Sequence, residues 1–242
     1  MKNIVDVSVI LCAYNEEDVI EASIDKVDNV MMKTGWNYEI VVVDDGSVDN
    51  TRDRALKCRD EKNNHHVKVV GYRKNAGKGA AVRTGFANAE GKFIVAIDSD
   101  LDVDPYLIPN YVEALKMNDI AVASKWNPKS HTTMTSRRKI LSFGFNALSR
   151  LLTGIKLRDT QTGLKAFRRI VFERMSPKFT VERFAFDLEM MSACNHAGFR
   201  IVELPVDVHV DSMVGFREIL TMSTDMIRVA YRLRVKKYYQ RS

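Results

Sequence analysis

The sequence predicts an α/β fold with a doubly wound, mostly parallel sheet. Short apolar, β-rich runs alternate with helical patterns over the first half of the chain, and the connections between them are short. This alternation is typical of parallel sheets covered by helices. Polar clusters directly follow several of the runs, and ligands of such sheets bind beyond the carboxyl ends of the strands. We therefore expect an enzyme or a ligand-binding protein.

The elements of the first half follow from periodicity. Five runs have the continuous apolar pattern of strands buried on both faces. The first helical segment carries Ile20, Ile24 and Val27 on one stripe. The expected strands are Val7–Ala13, Tyr38–Val43, Val67–Tyr72, Lys92–Ile97 and Ile120–Ser124, and the expected helices are Asn15–Lys33, Asp49–Cys58, Lys78–Ala89 and Pro105–Met117.

The second half predicts a different organisation. Thr135–Thr153 is expected to be a basic amphipathic helix, whose apolar stripe is Leu141, Phe145, Leu148 and Leu152. Further along we expect a polar connection at Arg158–Arg168, a helix at Phe184–Ala197, a strand at Ile201–Val210 and a final basic helix at Gly215–Tyr239. We divide the chain into a catalytic domain, residues 1–210, and a helical extension that associates with membranes, residues 211–242.

The charge distribution separates two surfaces. The net charge is +6, but residues 125–158 hold eight basic and no acidic residues, and residues 212–242 hold seven basic and two acidic residues. These two windows carry +8 and +5, so the rest of the chain carries −7. A membrane, a nucleic acid and a phosphorylated lipid all fit the basic windows.

The sequence also predicts the compartment. Cys12, Cys58 and Cys194 show no metal-type spacing, and we interpret them as reduced thiols of a cytosolic protein. The first residues do not form a signal-peptide pattern. The longest uncharged stretch, Ile140–Ser149, is about half as long as a membrane-spanning helix. We expect a peripheral protein on the cytoplasmic face of a membrane, without a transmembrane helix.

The acidic run after the fourth strand predicts a metal site. Asp98, Asp100 and Asp102 alternate there, and their side chains are expected to converge on one hard cation with oxygen ligands. Mg²⁺ or Mn²⁺ at this position would neutralise a diphosphate leaving group. The alternative is a solvated acidic turn, which the position directly after a strand disfavours.

Two further clusters at strand ends suit a nucleoside. Asp44 and Asp45 are able to accept hydrogen bonds from a base or from ribose hydroxyls, and Tyr14 and Glu16 offer an aromatic face and an acid. An ordinary turn or helix cap is an equally good interpretation of each cluster alone.

A glycine-containing turn, residues 75–79, leads into the third helix. Its backbone N–H groups and Lys78 suit a phosphate group. The glycine spacing matches neither a Walker loop nor a dinucleotide fingerprint, which argues against a kinase and an oxidoreductase.

Six motifs in order resemble family 2 glycosyltransferases of the GT-A fold: AYNEE, VVVDDGSVDNT, RKNAGKGAAVRTG, AIDSDLDVDP, RDTQTGLKAFRR and VERFAFDLEMM. More narrowly, the chain is similar to the branch of dolichyl-phosphate glucosyltransferases and dolichyl-phosphate mannose synthases, and the resemblance runs from about Val7 to Val210. The resemblance implies an inverting, metal-dependent transfer of a sugar from a nucleotide diphosphate to dolichyl or polyprenyl phosphate. NAGKGAAVR and VERFAFD are closer to the glucosyltransferases, which favours UDP-glucose over GDP-mannose.

The resemblance also implies site residues. Those expected at the nucleotide sugar are Ala13, Tyr14, Glu16, Asp44, Asp45, Lys78, Asp98 and Ser99. Asp100 is expected to act in catalysis through the metal, which Asp98, Asp100 and Asp102 would hold. Asp102 stands where the mannose synthases have a glutamine ligand. Lys125 stands where they have an arginine, and a lysine lacks the planar two-point grip on phosphate.

The acceptor phosphate is expected at Lys125, Arg137 and Arg138. A phosphate monoester has its second pKa near ~6 and is mostly a dianion at neutral pH. Such a nucleophile needs positioning and charge neutralisation rather than a strong base. The amphipathic helix suits the headgroup layer of a membrane. A core-packing helix with a solvated basic face is the alternative, which the lack of acidic residues disfavours.

Asp187 and Glu189 are the remaining catalytic candidates. Each is able to position a donor hydroxyl, to act as a base or to pair with Arg183, and the sequence does not separate these roles. Transfer to a sugar hydroxyl requires such a base and is a second hypothesis. A peripheral protein that binds nucleotide or nucleic acid without catalysis is a third, which the ordered carboxylates disfavour, so no nucleic-acid partner is expected.

Overall fold

The computed structural model describes residues 4–183, 185–210 and 216–240. Its strands are β1 (Val7–Ala13), β2 (Tyr38–Asp44), β3 (Val67–Gly71), β4 (Phe93–Asp98), β5 (Ile120–Ala123), β6 (His131–Met134), β7 (Lys165–Arg168), β8 (Ile201–Leu204) and β9 (Asp207–Val210). Its α-helices are α1 (Ile20–Met32), α2 (Thr51–Glu61), α3 (Lys78–Asn88), α4 (Ile108–Ala114), α5 (Ser136–Thr153), α6 (Arg169–Met175), α7 (Phe186–His196) and α8 (Phe216–Arg234). Short 3-10 turns are Pro105–Leu107, Ser176–Lys178 and Tyr238–Gln240.

A seven-stranded sheet forms the centre, in the order β3-β2-β1-β4-β7-β5-β8. Its neighbours pair in parallel except β7, which runs antiparallel to β4 and β5. The predicted α/β class and the mostly parallel sheet are therefore confirmed. The five strands expected in the first half are also confirmed, with ends that differ by one residue at most.

Helices cover both faces of the sheet. On β1, Val9 and Leu11 pack in the cluster that contains the apolar residues of α1, whereas Ile10 packs in the cluster that contains those of α3. Burial on both faces explains why these strands are apolar throughout rather than alternating. The carboxyl ends of β1, β2 and β4 lie side by side at one edge of the sheet, because they are parallel neighbours.

The central strand β7 corrects the sequence interpretation of Arg158–Arg168 as a polar connection. Residues 165–168 (KAFR) pair with β4 on one side and β5 on the other. The local hydrophobic pattern does not indicate a strand here, because the strand is short and begins with a lysine. Lys165 is buried in the strand with an ion-pair partner 22 residues further along the chain, and such a partner is invisible to local periodicity.

The predicted strand Ile201–Val210 is two strands. Pro205 separates β8, in the main sheet, from β9, which pairs with β6 in a two-stranded ladder. Proline has no backbone N–H to donate, so the ladder is interrupted there.

Helix α5 buries an unexpected face. Its buried residues are Asn146, Ser149 and Thr153, whereas Leu141 and Leu148 of the predicted stripe are 48% and 41% exposed. The alternative of a core-packing apolar stripe is therefore wrong for these two leucines.

Parts of the second-half expectations lie outside the described residues. These are Phe184, the expected start of α7, and residues 211–215, where we placed the domain boundary and the start of the last helix. The remainder of the final helix is present as α8, and its buried Val229 and Leu233 join the same cluster as the apolar residues of α7. The division into two domains stays a prediction.

Two glycine substitutions are expected to change stability in opposite directions. A Cβ at Gly85 in α3 would lie 2.4 Å from Cγ2 of the buried Ile10, so Gly85→Ala should lower the free energy of unfolding by about 1–3 kcal/mol. A Cβ at Gly144 in α5 would meet no described atom within 4 Å, so Gly144→Ala should raise it by about 0.5–1 kcal/mol. Urea unfolding measures both, and shifts of the same sign would contradict the packing described for α3.

Candidate active site

A cavity of about 620 Å³ opens where the carboxyl ends of β1, β2 and β4 meet. We call it the main cavity. The sequence-predicted residues that line it are Ala13, Tyr14, Glu16, Asp45, Lys78, Asp98, Ser99 and Asp100. The others are Cys12, Asn75, Gly77, Ala81, Arg183 and Thr221. Clusters far apart in sequence thus meet at one place because parallel strands end at one edge.

Lys78, the first residue of α3, joins two carboxylates of other elements. Its Nζ lies 2.8 Å from Asp98, at the end of β4, and 3.6 Å from Asp187, in the first turn of α7. Desolvation lowers the pKa of Lys78, but the charges of Asp98 and Asp187 raise it by more, so its net pKa lies above the ordinary value. Lys78 is therefore charged at neutral pH and holds α3, β4 and α7 together.

Asp187 has a second cationic partner. Its Oδ1 lies 3.0 Å from Nζ of Lys165, and both residues are buried. Lys165 Nζ also donates a hydrogen bond of 2.8 Å to the carbonyl of Thr162. The cations that contact Asp187 are thus Lys78 and Lys165, so both oxygens of this carboxylate already have a charged partner.

Two acidic residues of the main cavity have a raised pKa. Desolvation and then the charge of Asp98 raise the pKa of Asp100 above its ordinary value of 3.8. Desolvation and then Asp100 raise the pKa of Glu16 above 4.5. Because like charges face one cavity, a cation bound between them would relieve their repulsion.

The expected convergence of three aspartates is not found. Among residues 4–183, 185–210 and 216–240, no group of three or more His, Cys, Asp or Glu side chains is arranged to hold a metal ion. Asp98 and Asp100 line the main cavity, but Asp102 does not. The reason is the backbone: Leu101 has a φ of 52°, so the chain leaves the extended geometry that would have aligned alternate side chains.

Asp45 organises the turn that we expected to bind phosphate. Its carboxylate accepts hydrogen bonds from the N–H groups of Ala76 and Gly77, at 3.0–3.1 Å, and from Asn75 Nδ2 at 3.0 Å. Gly79 N–H donates to the carbonyl of Glu182 at 2.8 Å. The expectation that backbone N–H groups of this turn hold phosphate is therefore wrong for Ala76, Gly77 and Gly79, because protein oxygens already accept from these three groups.

Asp44 and Glu189 lie away from the main cavity. Asp44 is buried and accepts a 3.0 Å hydrogen bond from Ser47 N–H. This contact fits the alternative in which Asp44 stabilises a turn instead of binding a nucleoside. Glu189 is fully buried and bonded to residues of two other segments. Neither residue is among those that line the main cavity.

A second cavity of about 420 Å³ lies between α5 and α8, and we call it the apolar groove. Its apolar residues include Leu141, Phe145 and Leu148 of α5 and Met222 and Met226 of α8. Lys125, Arg138 and Gln161 supply the cationic and amide groups. Arg137 is exposed and does not line the groove.

The groove region contains donors without acceptors. Within the described part of the chain, Arg138 NH1, Gln161 Nε2 and Trp126 Nε1 are buried and have no hydrogen-bond partner. Buried polar atoms are rarely left unpaired, so such a set calls for a ligand or water that accepts from them. Two of the three residues line the groove beside Lys125, which makes an anion the best-suited acceptor.

Residues 159–163, which we call loop 159–163, connect the two cavities. At one end, the fully buried Asp159 accepts from Lys125 N–H at 3.2 Å and lies 3.5 Å from Lys125 Nζ. At the other end, Gly163 lies so close to Asp98 that an added Cβ would be 2.4 Å from Oδ2. Gln161, between them, lines the groove. The two cavities are thus neighbours.

Residues 8–176 match the model of the family described as glycosyl transferase family 2. The chain belongs to this family. Glycosyltransferase AglD of Haloferax volcanii is 31% identical over 96% of this chain and 38% of AglD. The dolichyl-phosphate beta-glucosyltransferases of Saccharomyces cerevisiae and Homo sapiens are 31% and 30% identical, each over 93% of this chain and 75% of the relative. The chain therefore spans about three quarters of these two relatives and much less of AglD.

Solved structures show the same fold. Glucosyl-3-phosphoglycerate synthase from Mycobacterium tuberculosis, in complex with Mn²⁺, UDP-glucose and phosphoglyceric acid, is similar with a TM-score of 0.69 and 21% identity, over 93% of this chain and 78% of that chain. The GT-A fold expected of this family 2 glycosyltransferase is confirmed. No described helix is long and apolar enough to cross a bilayer.

Several residues at the two cavities of this glycosyltransferase are not among the predicted site residues. Lys165 and Gln161 belong to the RDTQTGLKAFRR motif, but the motif was interpreted as a connection. Arg183 and Thr221 line the main cavity from segments that are distant in sequence. A sequence signal existed only for Lys165, because a lysine inside a short apolar strand indicates a buried partner.

The buried pair of Lys165 and Asp187 is expected to be sensitive to the loss of one member. Lys165→Met should lower the free energy of unfolding by about 3 kcal/mol, because it leaves a buried carboxylate with less compensation. Lys57→Met is the matched control, since Lys57 and its partner Glu61 are both 65% exposed, and it should cost less than about 1 kcal/mol. Equal losses in urea unfolding would contradict the buried network.

Proposed function

We propose that this family 2 glycosyltransferase transfers glucose from UDP-glucose to the phosphate of dolichyl or polyprenyl phosphate, with inversion at the anomeric carbon. The observation that carries the proposal is the pair of neighbouring cavities. One is acidic and lies at the strand ends, and the other combines an apolar groove with unpaired cationic and amide donors. The names of the relatives, dolichyl-phosphate beta-glucosyltransferases, support the same pairing of substrates.

The main cavity is the proposed donor site. Tyr14 is 44% exposed at its edge and offers a face for the uracil ring. Lys78 and Arg183 supply the positive charge that a diphosphate requires. Cys12 takes no part as a nucleophile, because desolvation and the charge of Asp98 raise the pKa of its thiol.

Asp98 and Asp100 are the residues that would hold a divalent cation. Two carboxylates without a third fit Mg²⁺ or Mn²⁺ shared with substrate phosphates, since these ions seldom occupy a cage made by protein alone. Bound there, the ion would supply positive charge to the departing diphosphate. The solved neighbour with Mn²⁺ and UDP-glucose supports this assignment.

The apolar groove is the proposed acceptor site. A lipid phosphate has an anionic head for Lys125, Arg138 and Gln161, and an apolar chain for the leucine and methionine side chains of α5 and α8. A phosphorylated small molecule would satisfy the donors but not the apolar lining. The groove therefore favours a phosphorylated lipid as the acceptor.

Asp187 argues against a sugar hydroxyl as the acceptor. A hydroxyl needs a general base, but Asp187 is held by Lys78 and Lys165, and Glu189 lies outside both cavities. A dianionic phosphate needs no proton removed before it attacks. In the proposed step, a phosphate oxygen bonds to the anomeric carbon as the bond to the UDP oxygen breaks. UDP leaves with the electron pair through an oxocarbenium-like transition state, and the α-linked donor gives a β-linked product.

We propose that α5 and α8 rest on a membrane surface. Ile140 and Leu151 of α5 are 71% and 70% exposed, and Phe143 beside them is exposed as well. Residues 140, 143 and 151 lie on one face of the helix, next to the exposed Arg137 and Lys139. Such a helix suits the boundary between lipid headgroups and acyl chains. The three cysteines are free thiols, which fits the reducing environment on the cytoplasmic side of the membrane. Co-sedimentation with anionic vesicles tests the contact, and a protein that stays in the supernatant contradicts it.

The proposed reaction is tested by product mass. Protein, Mn²⁺ or Mg²⁺ and dolichyl phosphate are incubated with UDP-glucose and GDP-mannose together, and a glucosyl phosphate lipid is expected.

The acceptor site is tested by the kinetics of Arg138→Ala. This variant should raise KM for the lipid about 10-fold, because a charged hydrogen bond to phosphate is lost, and should leave KM for the donor unchanged. Arg52→Ala removes an equal charge from an exposed residue of α2 outside both cavities and is the control. A mannosyl product, or equal effects of the two variants, would contradict the proposal.

Asp100 should control metal binding. Asp100→Asn is expected to abolish Mn²⁺-dependent UDP binding in calorimetry. The control is Asp104→Asn, which retains a cap for Tyr106 N–H and should leave this binding unchanged.

The raised pKa of Asp100 predicts a pH dependence of Mn²⁺ binding. As the solution is acidified, Mn²⁺ affinity should begin to fall at a higher pH than it would for an aspartate with an ordinary pKa. The charged form costs folding free energy when the folded pKa is raised, so metal-free Asp100→Asn should be at least as stable as wild type at pH 7. Normal Mn²⁺-dependent binding by this variant would contradict the metal assignment.

A further inference from the structure

Glu189 forms a buried junction between three segments. Its carboxylate is 0% exposed and accepts hydrogen bonds from the N–H groups of Thr180, at 2.9 Å, and Val181, at 2.8 Å, and from Thr180 Oγ1 at 2.6 Å. Tyr239 Oη donates a fourth, and Arg232 NH1 lies 3.5 Å away. A buried carboxylate is tolerated only when its oxygens are satisfied in this way. The segment 216–240, which we call the C-terminal segment, supplies the tyrosine and the arginine.

The position of Glu189 on α7 excludes it from the main cavity. Residues two apart on an α-helix point in nearly opposite directions. Asp187 contacts Lys78 at the main cavity, whereas Glu189 contacts Tyr239 and Arg232 on the other side of the helix. One turn of α7 therefore carries a group for each of two different surfaces.

A chain of contacts leads from Glu189 to the main cavity. The residues that Glu189 holds, Thr180 and Val181, begin the segment 180–183, which we call loop 180–183. The carbonyl of Glu182 in this loop accepts a 2.8 Å hydrogen bond from Gly79 N–H, next to Lys78. Loop 180–183 thus lies between the buried carboxylate and the start of α3, and its last residue, Arg183, lines the main cavity.

The C-terminal segment reaches the same cavity directly. Thr221 of α8 lines the main cavity, whereas Met222 and Met226 line the apolar groove. Its far end is joined to α7 and to Thr180 by the junction at Glu189. Weakening this junction would loosen the attachment of a segment that contributes residues to both cavities.

We propose that Glu189 is a positioning residue that couples the C-terminal segment, through loop 180–183, to the donor end of the active site. It acts without touching substrate: it holds loop 180–183 against the start of α3 and so sets the positions of Lys78 and Arg183. The assignment of this cavity to the donor rests on the proposed function. The contact chain itself does not.

Tyr239→Phe tests the coupling with a small change, because it removes only the hydroxyl that donates to Glu189. Tyr238→Phe is the matched control, since Tyr238 is adjacent and 38% exposed. Tyr239→Phe should speed hydrogen exchange of the Gly79 amide about 10-fold through local opening and weaken UDP binding about 5-fold. KM for the donor should rise more than kcat falls, and Tyr238→Phe should change none of these values.

A purely structural role predicts a different pattern. If Tyr239→Phe lowers the melting temperature but leaves Gly79 exchange and UDP affinity unchanged well below that temperature, the coupling is overturned. If wild-type protein does not bind UDP, the proposed function is overturned, and the exchange measurement, which needs no ligand, still decides the coupling. Glu189→Gln serves as a second variant and should give the same pattern more strongly, because it removes the charge from the junction.

Discussion

Lys78 is held between Asp98 and Asp187, and this partly buried set of charges is the constraint on which the rest of the site depends. It ties the end of β4 to the starts of α3 and α7. Charges in such a place must be balanced. Lys165 provides the remaining balance on Asp187 from the antiparallel strand β7 in the middle of the sheet.

Much of the site was predictable from sequence because its parts lie at strand ends. Apolar runs followed by Asp98 or Asp45 indicate both the strand and the ligand side of the sheet. The failures share a physical cause. The strand of Lys165 depends on a partner distant in sequence, the turn after Asp100 depends on one left-handed residue, and the N–H groups of Ala76 and Gly77 are taken by Asp45. Each outcome is decided by tertiary contact or backbone conformation, which a linear pattern does not contain.

The two cavities have different polar groups and therefore suit different substrates. In the proposed function, the clustered carboxylates of the main cavity, where burial and neighbouring charge raise the pKa of Asp100 and Glu16, suit a cation that binds together with a diphosphate. Unpaired donors prepare the apolar groove for an anion on an apolar chain. Loop 159–163 and the C-terminal segment contribute residues near both. In the account proposed here, no strong base is needed, because the nucleophile is already charged and the enzyme supplies position and compensating charge.

The most direct test of this account is a crystal structure of the protein soaked with UDP and Mn²⁺. The account predicts electron density for one ion between Asp98 and Asp100, with the diphosphate beside Lys78 and the uracil near Tyr14. Anomalous scattering at the manganese edge identifies the ion without ambiguity. A nucleotide bound elsewhere, with no anomalous peak at these two aspartates, would contradict the central claim.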